Sequence, residues 1–250
     1  MSTVWPLPPA VWALPDDEVH VWLVTLDRPE ARVAALAAQL SADELERAER
    51  FYRERARNRF IVARGLLRTI VGSYLDAPPP SLRFALNAHG KPVLASHAAA
   101  ALSFNISHSS GLALFAMTKE RAVGVDIERL RSDLDYKRLA RRFFSPAEFA
   151  QFAALPEEVK RDAFFHCWTR KEAYIKGQGV GIALGLDSFD VSLEPDTPAR
   201  LLATRPDAAE ADQWQLRSLE PAPGYAAAVA VRGRNWQLRC WRWPDEEADP

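Results

Sequence analysis

The sequence is poor in cysteine and has no long uninterrupted apolar run. Its 250 residues include two cysteines, Cys167 and Cys240, which form neither a disulfide framework nor a CxxC metal site, so a reducing compartment is expected. The uncharged stretch from 92 to 118 is broken by proline, asparagine and glycine, which excludes a membrane span. The first fifteen residues lack a basic region, which predicts no signal peptide. We therefore expect a soluble cytoplasmic protein that enters no membrane.

Excess charge of one sign and the common nucleotide-binding motifs are also absent. The formal net charge is −1, which gives no general attraction to nucleic acid or to anionic lipid. There is no P-loop, GxGxxG, GxSxG or HExxH motif, which excludes the machinery of many nucleotide-binding proteins and hydrolases. The 48% of hydrophobic residues, with 8 Trp and 12 Phe, predict a folded chain with a substantial core.

The order of strand and helix patterns predicts an α+β fold with an internal repeat. Short strand-like runs are interspersed with two long helical patterns. The helix-capping signature SADE (41–44) returns as SPAE (145–148), and GLALFA (111–116) resembles GYAAAVA (224–230), each roughly 110 positions later. These two internal similarities predict that one α+β unit occurs twice.

We expect two halves, 1–120 and 121–250, related by a pseudo-twofold duplication. Each half should be a small antiparallel sheet packed with helices. The cleft between two such halves is a common place for a ligand, so we expect the active site there. A chain that already carries both halves is expected to be a monomer.

The strand GVDIE (124–128) places two carboxylates on one face. In a strand, Gly124, Asp126 and Glu128 point to one side, while the apolar side chains between them point to the other. Carboxylates ~6.6 Å apart along a strand can converge on one hard cation. A solvated strand face is compatible with the same pattern.

The helix predicted over 161–177 carries a third carboxylate. Glu172 falls on its apolar stripe, so burial would require an ion-pair partner or a metal. Lys171 beside it and Lys176 one turn later could bind a phosphate. The same spacing also allows a plain surface pair between Glu172 and Lys176.

Groups suited to phosphate oxygens lie in other segments. NISHS (105–109) brings hydroxyls, turn amides and His108 together at the end of a predicted strand. NAHGKP (87–92) is a turn that presents Lys91, and residues 53–68 contain six arginines against one acid. Each signal by itself is also compatible with a structural role or a solvated surface.

The chemistry of the three carboxylates indicates the metal. Without a Cys/His cluster, they fit Mg²⁺ better than zinc. Mg²⁺ is commonly held by a few carboxylates together with substrate phosphates. The residues alone therefore predict a Mg²⁺-dependent enzyme that acts on a phosphate-rich ligand between the two halves.

Five of these segments occur in an order that resembles the 4′-phosphopantetheinyl transferases of the Sfp type. They are GKP (90–92), FNISHS (104–109), GVDIE (124–128), RFFSPAEF (142–149) and WTRKEAYIKGQGVGI (168–182). The resemblance implies transfer of 4′-phosphopantetheine from coenzyme A to a serine of an apo acyl, peptidyl or aryl carrier protein. It further implies a need for Mg²⁺, release of 3′,5′-ADP and a place in secondary metabolite biosynthesis.

The resemblance also implies roles for individual residues, in three sets. The metal ligands are Asp126, Glu128 and Glu172, of which Glu172 is also the expected base, acting directly or through a water. The phosphate contacts are Ser107, His108 and Lys176, with catalytic roles for His108 and Lys176. The contacts to the nucleotide end are Arg59, Gly90, Lys91 and Pro92. The sequence departs from some members at Glu44 and Arg47, which stand near positions of basic residues that contact the 3′-phosphate.

Two other functions would use the same features. A Mg²⁺-dependent phosphodiesterase or nucleotide hydrolase would direct the three carboxylates at water and would release products without a carrier protein. A non-enzymatic coenzyme A binding module would not need all three carboxylates, yet all three positions are occupied here.

Overall fold

The computed structural model describes residues 5–10, 12–95, 101–194 and 197–245. The predicted absence of a signal peptide lies partly outside the described residues, because residues 1–4 and 11 are not among them. The helices are α1 (Glu30–Ala37), α2 (Ala42–Glu49), α3 (Glu54–Leu75), α4 (Tyr136–Phe143), α5 (Pro146–Ala154) and α6 (Glu157–Gln178). The strands are β1 (Glu18–Thr25), β2 (Phe84–Leu86), β3 (Pro92–Leu94), β4 (Leu102–Ser109), β5 (Leu112–Lys119), β6 (Val123–Arg129), β7 (Phe189–Val191), β8 (Leu201–Thr204), β9 (Trp214–Leu219), β10 (Tyr225–Arg232) and β11 (Gln237–Arg242).

The strands form two principal sheets, and the predicted α+β class is confirmed. The first sheet has the order β11-β1-β5-β4, and the second has the order β6-β10-β9. The β2–β3 and β7–β8 pairs are separate antiparallel ribbons. Ser110 and Gly111, which join β4 to β5, both have positive φ, as the two-residue turn of a tight hairpin requires.

The predicted division at 120/121 falls between β5 and β6, where the chain passes from the first sheet to the second. The last strand, however, returns: β11 pairs in parallel with β1, so residues 237–242 lie in the first sheet. A division by sequence position alone therefore assigns β11 to the wrong sheet. A strand pairing across more than 200 positions leaves no local signal in the sequence.

Three apolar clusters separate four layers, in the order helix, sheet, sheet, helix. Leu36 of α1 and Leu67 of α3 cover one face of the first sheet. The two sheets pack face to face through residues such as Val21, Val125 and Val229. The outer face of the second sheet is covered by α6.

The faces of β6 follow the predicted alternation. Val123, Val125 and Ile127 belong to the core between the two sheets. Asp126 and Glu128 therefore face the opposite side, toward α6. The packing of α6 on this side determines what those carboxylates meet.

Both predicted capping signatures begin helices. Each capping glutamate also pairs with a basic side chain of the long helix that follows, and we call this contact an anchor. The Ser145 N–H donates to Glu148 Oε2 (2.9 Å), and the Glu148 N–H donates to Ser145 Oγ (3.2 Å). Lys171 Nζ on α6 donates to both Glu148 oxygens (2.6 and 2.7 Å) and to Phe189 O (2.7 Å). The buried carboxylate thus joins α5, α6 and β7.

This position corrects the prediction that Lys171 contacts a phosphate. The Lys171 side chain is fully buried, with 0% exposure, and its ammonium already has three acceptors. A ligand phosphate could reach it only by unpacking the core. Lys171 and Glu172 are neighbours in sequence, but on a helix they point in directions about 100° apart.

The first half contains a comparable anchor. The Ser41 N–H donates to Glu44 Oε2 (3.1 Å), and Arg68 Nε on α3 donates to the same oxygen (2.7 Å). Arg64 also pairs with Glu44. Glu44, which stands near a position expected to bind a phosphate, therefore holds α2 against α3.

No helix in the described parts of the chain has both the length and the apolar character needed to cross a bilayer.

Replacement of Lys171 by methionine should lower the free energy of unfolding by about 3–5 kcal/mol, because Glu148 would remain buried without a counter-charge. Chemical denaturation would measure the loss. The matched control is Lys137→Met, which removes an exposed pair with Glu157 and should cost about 1 kcal/mol or less. Equal stability of the two variants would contradict the structural role of Lys171.

Candidate active site

The two sheets meet at β4 and β6, which are edge strands of the first and second sheet. Polar side chains of β4 accept hydrogen bonds from backbone N–H groups of β6, and each partner lies 20 positions later in the chain. The bonds run from Val125 N to Asn105 Oδ1 (2.9 Å), from Ile127 N to Ser107 Oγ (3.4 Å) and from Arg129 N to Ser109 Oγ (3.1 Å). We call this row of contacts the seam. The constant offset shows that the two strands run in the same direction.

A close approach of two glycines brings β6 against α6. A Cβ atom built on Gly124 would lie 2.0 Å from Ala173 O and 2.2 Å from Gly177 N. No side chain fits there, so the backbones touch. The motifs GVDIE and KGQG are thereby brought together, and the carboxylates of β6 lie beside the last turns of α6.

Asp126 is at the centre of the site. Its side chain is buried, and Oδ1 accepts from Ser107 Oγ (2.8 Å) and from Lys176 Nζ (2.6 Å). Lys176 Nζ also donates to Ser107 Oγ (2.9 Å). Oδ2 is buried and has no hydrogen-bond partner in the described structure. One oxygen of a buried carboxylate is therefore satisfied, and the other is available to a cation.

Glu128 and Glu172 have pKa values above the usual range for glutamate. Burial is the largest cause for both, and the negative charge of Asp126 raises both further. Glu128 also raises the pKa of Glu172, while its own Oε2 accepts from Ser109 Oγ (2.9 Å). Asp126 therefore acts as a like charge on both glutamates, and Glu128 acts so on Glu172, which a shared cation would relieve.

These residues fit a hard divalent cation, although no three His, Cys, Asp or Glu side chains in the described residues converge closely enough to enclose a metal. The candidate ligand atoms of Asp126, Glu128 and Glu172 are all carboxylate oxygens. Among the described residues, Asp126 Oδ2 is buried and has no hydrogen-bond partner. An incomplete protein ligand set is what Mg²⁺ commonly uses, because waters and substrate phosphates supply its remaining ligands.

His108 lies on the other side of β4 from the seam serines and is exposed. The pKa of its imidazole is lowered, first by the protein atoms that desolvate the ring and then by the positive charge of Lys176. Arg59 lowers it further, so both cations act on the ring. A neutral imidazole at pH 7 can donate one hydrogen bond to a phosphate oxygen and accept another.

Arg59 is already held by a carboxylate. Its Nε and Nη2 atoms donate to the two oxygens of Asp27 (2.8 and 2.6 Å), and Arg55 pairs with the same group. These two arginines lower the pKa of Asp27. Arg59 also lies beside the β4–β5 turn, where a Cβ on Gly111 would come within 2.9 Å of Nη2. The basic patch predicted over 53–68 thus reaches the neighbourhood of His108.

A cleft of about 230 Å³ opens between the turn that carries Gly90, Lys91 and Pro92 and the helix α6, with Glu172 and Lys176 in its lining. The structure thereby brings the GKP turn, the seam and α6 to one place. A larger cleft of about 620 Å³ lies between β8 and β9, and none of the predicted site residues lines it.

Lys91 is placed differently from what its predicted contact to the nucleotide end suggests. Its Nζ donates to Lys176 O (2.8 Å) and to Val123 O (3.1 Å), and burial lowers its pKa to about 8. Asn87 Nδ2 on the same turn donates to Gly179 O (3.0 Å). The Lys91 amine thus connects the β2–β3 ribbon to α6 and β6, which leaves the backbone of the turn to line the cleft.

The seam was not predicted from the sequence. The sequence predicts that NISHS (105–109) lies at the end of a strand entering a turn, with turn amides available to phosphate, whereas β4 continues to Ser109, and Asn105 and Ser107 are buried. The alternation of Asn105, Ser107 and Ser109 could have shown a polar strand face. Nothing in the sequence indicates that this face meets the backbone of β6.

Comparison with known proteins places the chain in a family. A model of the N-terminal segment of 4′-phosphopantetheinyl transferases matches residues 28–120, and a model of the 4′-phosphopantetheinyl transferase superfamily matches residues 122–230. A curated protein from Nostoc sp., 4′-phosphopantetheinyl transferase HetI, is 44% identical over 95% of this chain and 97% of its own length. The chain belongs to the 4′-phosphopantetheinyl transferase superfamily.

Other 4′-phosphopantetheinyl transferases are similar over most of the chain. One from Bacillus subtilis is 33% identical over 71% of this chain and 78% of its own length. The transferase Sfp of Bacillus subtilis is 29% identical over 85% of this chain and 92% of its own length. The recognised resemblance to the Sfp type is therefore confirmed. The two segments matched by the family models meet at the connection between β5 and β6.

Replacement of Gly124 by alanine should lower the free energy of unfolding by about 3 kcal/mol or more, because the added methyl group meets backbone that cannot rotate away. Chemical denaturation measures this loss. In the fraction that folds, displacement of β6 from α6 should also reduce transferase activity. A variant with wild-type stability would contradict the backbone contact between Gly124 and Gly177.

Proposed function

We propose that this transferase moves the 4′-phosphopantetheine group of coenzyme A to a serine hydroxyl of an apo acyl, peptidyl or aryl carrier protein and releases 3′,5′-ADP. The observation that carries the proposal is the meeting of Asp126 and Lys176 (2.6 Å) on two family motifs beside the 230 Å³ cleft. A carboxylate set and a cation at one cleft can bind both a divalent metal and a diphosphate.

Asp126, Glu128 and Glu172 would hold Mg²⁺ through oxygens alone. The unpaired Oδ2 of Asp126 and the raised pKa values of the two glutamates support this assignment. Bound there, Mg²⁺ would neutralise charge on the diphosphate and on the departing 3′,5′-ADP.

Lys176, His108 and Ser107 would orient the diphosphate of coenzyme A. Lys176 is only partly buried, at 29% side-chain exposure, so its ammonium can turn from Asp126 toward a phosphate oxygen. The His108 ring, kept neutral by its surroundings, can donate one N–H to another oxygen. Ser107 already bonds both Asp126 and Lys176, so it would act mainly by holding them.

Glu172 would be the base that takes the proton of the carrier serine. Its carboxylate lines the cleft in which the diphosphate would lie, so it could take the proton directly or through a water. As the serine oxygen bonds to the phosphorus, the bond from that phosphorus to the 3′,5′-ADP oxygen breaks. No covalent enzyme intermediate is needed, and Cys167 is fully buried.

The nucleotide end of coenzyme A would lie along the GKP turn. Gly90 has positive φ and open space at its Cα, and Pro92 contributes an apolar surface to the cleft. Arg59 would contribute charge from the other side of β4, where it already acts on His108. The Lys91 amine would shape the turn through its two carbonyl contacts.

The two halves, 1–120 and 121–250, are proposed to descend from a duplication, and the chain to act as a monomer with its site between them. Support comes from the anchors that accompany the two capping signatures. Glu44 pairs with Arg68, 24 positions later, and Glu148 pairs with Lys171, 23 positions later. In both, a short helix is tied to the long helix that follows it.

Incubation with coenzyme A, Mg²⁺ and a panel of apo carrier proteins should raise the mass of a carrier by one phosphopantetheine group, measured on the intact protein. Asp126→Ala should reduce the rate at least about 100-fold, since removal of a metal ligand costs several kcal/mol of transition-state stabilisation. The matched control, Asp212→Ala, removes an exposed carboxylate that does not line the 230 Å³ cleft and should retain the wild-type rate.

Cleavage of coenzyme A without any carrier would favour the alternative Mg²⁺-dependent hydrolase. Binding of coenzyme A without turnover on any carrier would favour a binding module. Wild-type transfer by Asp126→Ala at ordinary Mg²⁺ concentration would refute the metal assignment.

Glu172→Gln should lower the single-turnover rate at least about 100-fold, because the amide cannot accept the serine proton. Coenzyme A should still bind at raised Mg²⁺ concentration, since the amide keeps one oxygen and the shape of the side chain. Rapid-quench transfer and calorimetry separate the two effects. Glu158→Gln, an exposed change on the same helix, is the control. Retention of most of the single-turnover rate by Glu172→Gln would leave the strand carboxylates as the essential pair.

A further inference from the structure

Ser109 makes two hydrogen bonds to consecutive residues of β6. Its Oγ donates to Glu128 Oε2 (2.9 Å) and accepts from the Arg129 N–H (3.1 Å). A hydroxyl has one hydrogen to donate and two lone pairs that can accept, so Ser109 can donate to the carboxylate and accept from the backbone at the same time. One side chain therefore fixes the Glu128 carboxylate relative to the backbone that carries it.

The same unit occurs one strand period earlier. Ser107 Oγ donates to Asp126 Oδ1 (2.8 Å) and lies 3.4 Å from Ile127 N, which donates to it. The two serines thus hold the two strand carboxylates in the same manner. They differ in one respect: Ser107 also accepts from Lys176, whereas among the described residues the side-chain hydrogen bonds of Ser109 reach β6 alone. A change at Ser109 therefore leaves the contacts of Lys176 intact.

Glu128 needs such a restraint more than Asp126 does. Asp126 is buried and is held by Lys176 as well as by Ser107. Glu128 is longer and only half-buried, and Ser109 supplies the one hydrogen bond recorded for its carboxylate within the described residues. Without that bond the side chain could rotate toward solvent.

We propose that Ser109 is a positioning residue that aims the Glu128 carboxylate at the metal site. The inference rests on the proposed function, because it takes Asp126, Glu128 and Glu172 as the metal ligands. Groups that hold metal ligands in place commonly change metal affinity 10- to 100-fold when they are removed. We therefore expect loss of the Ser109 hydroxyl to weaken the metal more than it weakens coenzyme A.

The test compares Ser109→Val with Ser109→Thr in the full chain. The two side chains have nearly the same shape and both suit a strand, but only threonine keeps the hydroxyl. Mn²⁺ binding in the presence of coenzyme A is measured by electron paramagnetic resonance, without any carrier protein. We expect the Mn²⁺ dissociation constant to rise about 10- to 100-fold in the valine variant and to stay within about twofold of wild type in the threonine variant.

Transfer to a carrier gives the second readout. The Mg²⁺ concentration for half-maximal rate should rise by a similar factor in Ser109→Val, while kcat at saturating Mg²⁺ should recover most of its wild-type value. Ser103→Ala is the matched control, because Ser103 lies on the same strand face and no hydrogen bond joins its side chain to β6 in the described structure. Should Ser109→Val fail to fold by thermal melting, Ser109→Ala replaces it.

Equal Mn²⁺ affinity of the valine and threonine variants, in a wild-type protein that binds Mn²⁺ and transfers phosphopantetheine, would overturn the role of Ser109 alone. A wild-type protein that neither binds Mn²⁺ nor transfers the group would overturn the proposed function and this inference with it. A loss of kcat in Ser109→Val that raised Mg²⁺ does not restore would also overturn the positioning role.

Discussion

The site depends on the seam, where polar side chains of β4 take the place of a backbone ladder between the two sheets. Asn105, Ser107 and Ser109 accept N–H groups from β6 at one constant offset. Because side chains of a strand alternate with period two, a slip of one residue would turn Asp126 and Glu128 into the apolar core. The seam thus sets both the position of the second sheet and the direction of its carboxylates.

Contact between glycines fixes the other boundary of the site. The backbone of β6 at Gly124 touches α6 at Gly177, and no side chain separates them. Glu172 and Lys176 lie on the last turns of that helix, so their distance from β6 follows from this contact. A strand held by a seam on one side and by a helix backbone on the other has little freedom to move its carboxylates.

Charged groups in this fold divide into two classes by burial. The Glu148–Lys171 and Glu44–Arg68 pairs lie in the interior, where breaking either pair would leave an uncompensated charge. The Asp126–Lys176 pair lies at the cleft, and its lysine remains partly exposed. Pairs of the first class stabilise the helices. In the second class, the partly exposed lysine can leave its carboxylate partner to bind a ligand.

The sequence alone was sufficient for the α+β class, the capped starts of α2 and α5, the faces of β6 and the membership of the family. The capped starts and the faces of β6 depend on residues within a few positions of one another, because local periodicity and capping act over that range. The fold class and the family membership depend on the order in which several such local patterns follow one another along the chain. Only the tertiary structure decided the rest. Lys171 lies in the core while Lys176 reaches Asp126, the Lys91 amine is used by two carbonyls, and β11 returns to β1. These contacts join residues between 23 and more than 200 positions apart, so they depend on how the layers pack, and no short pattern in the sequence records that packing.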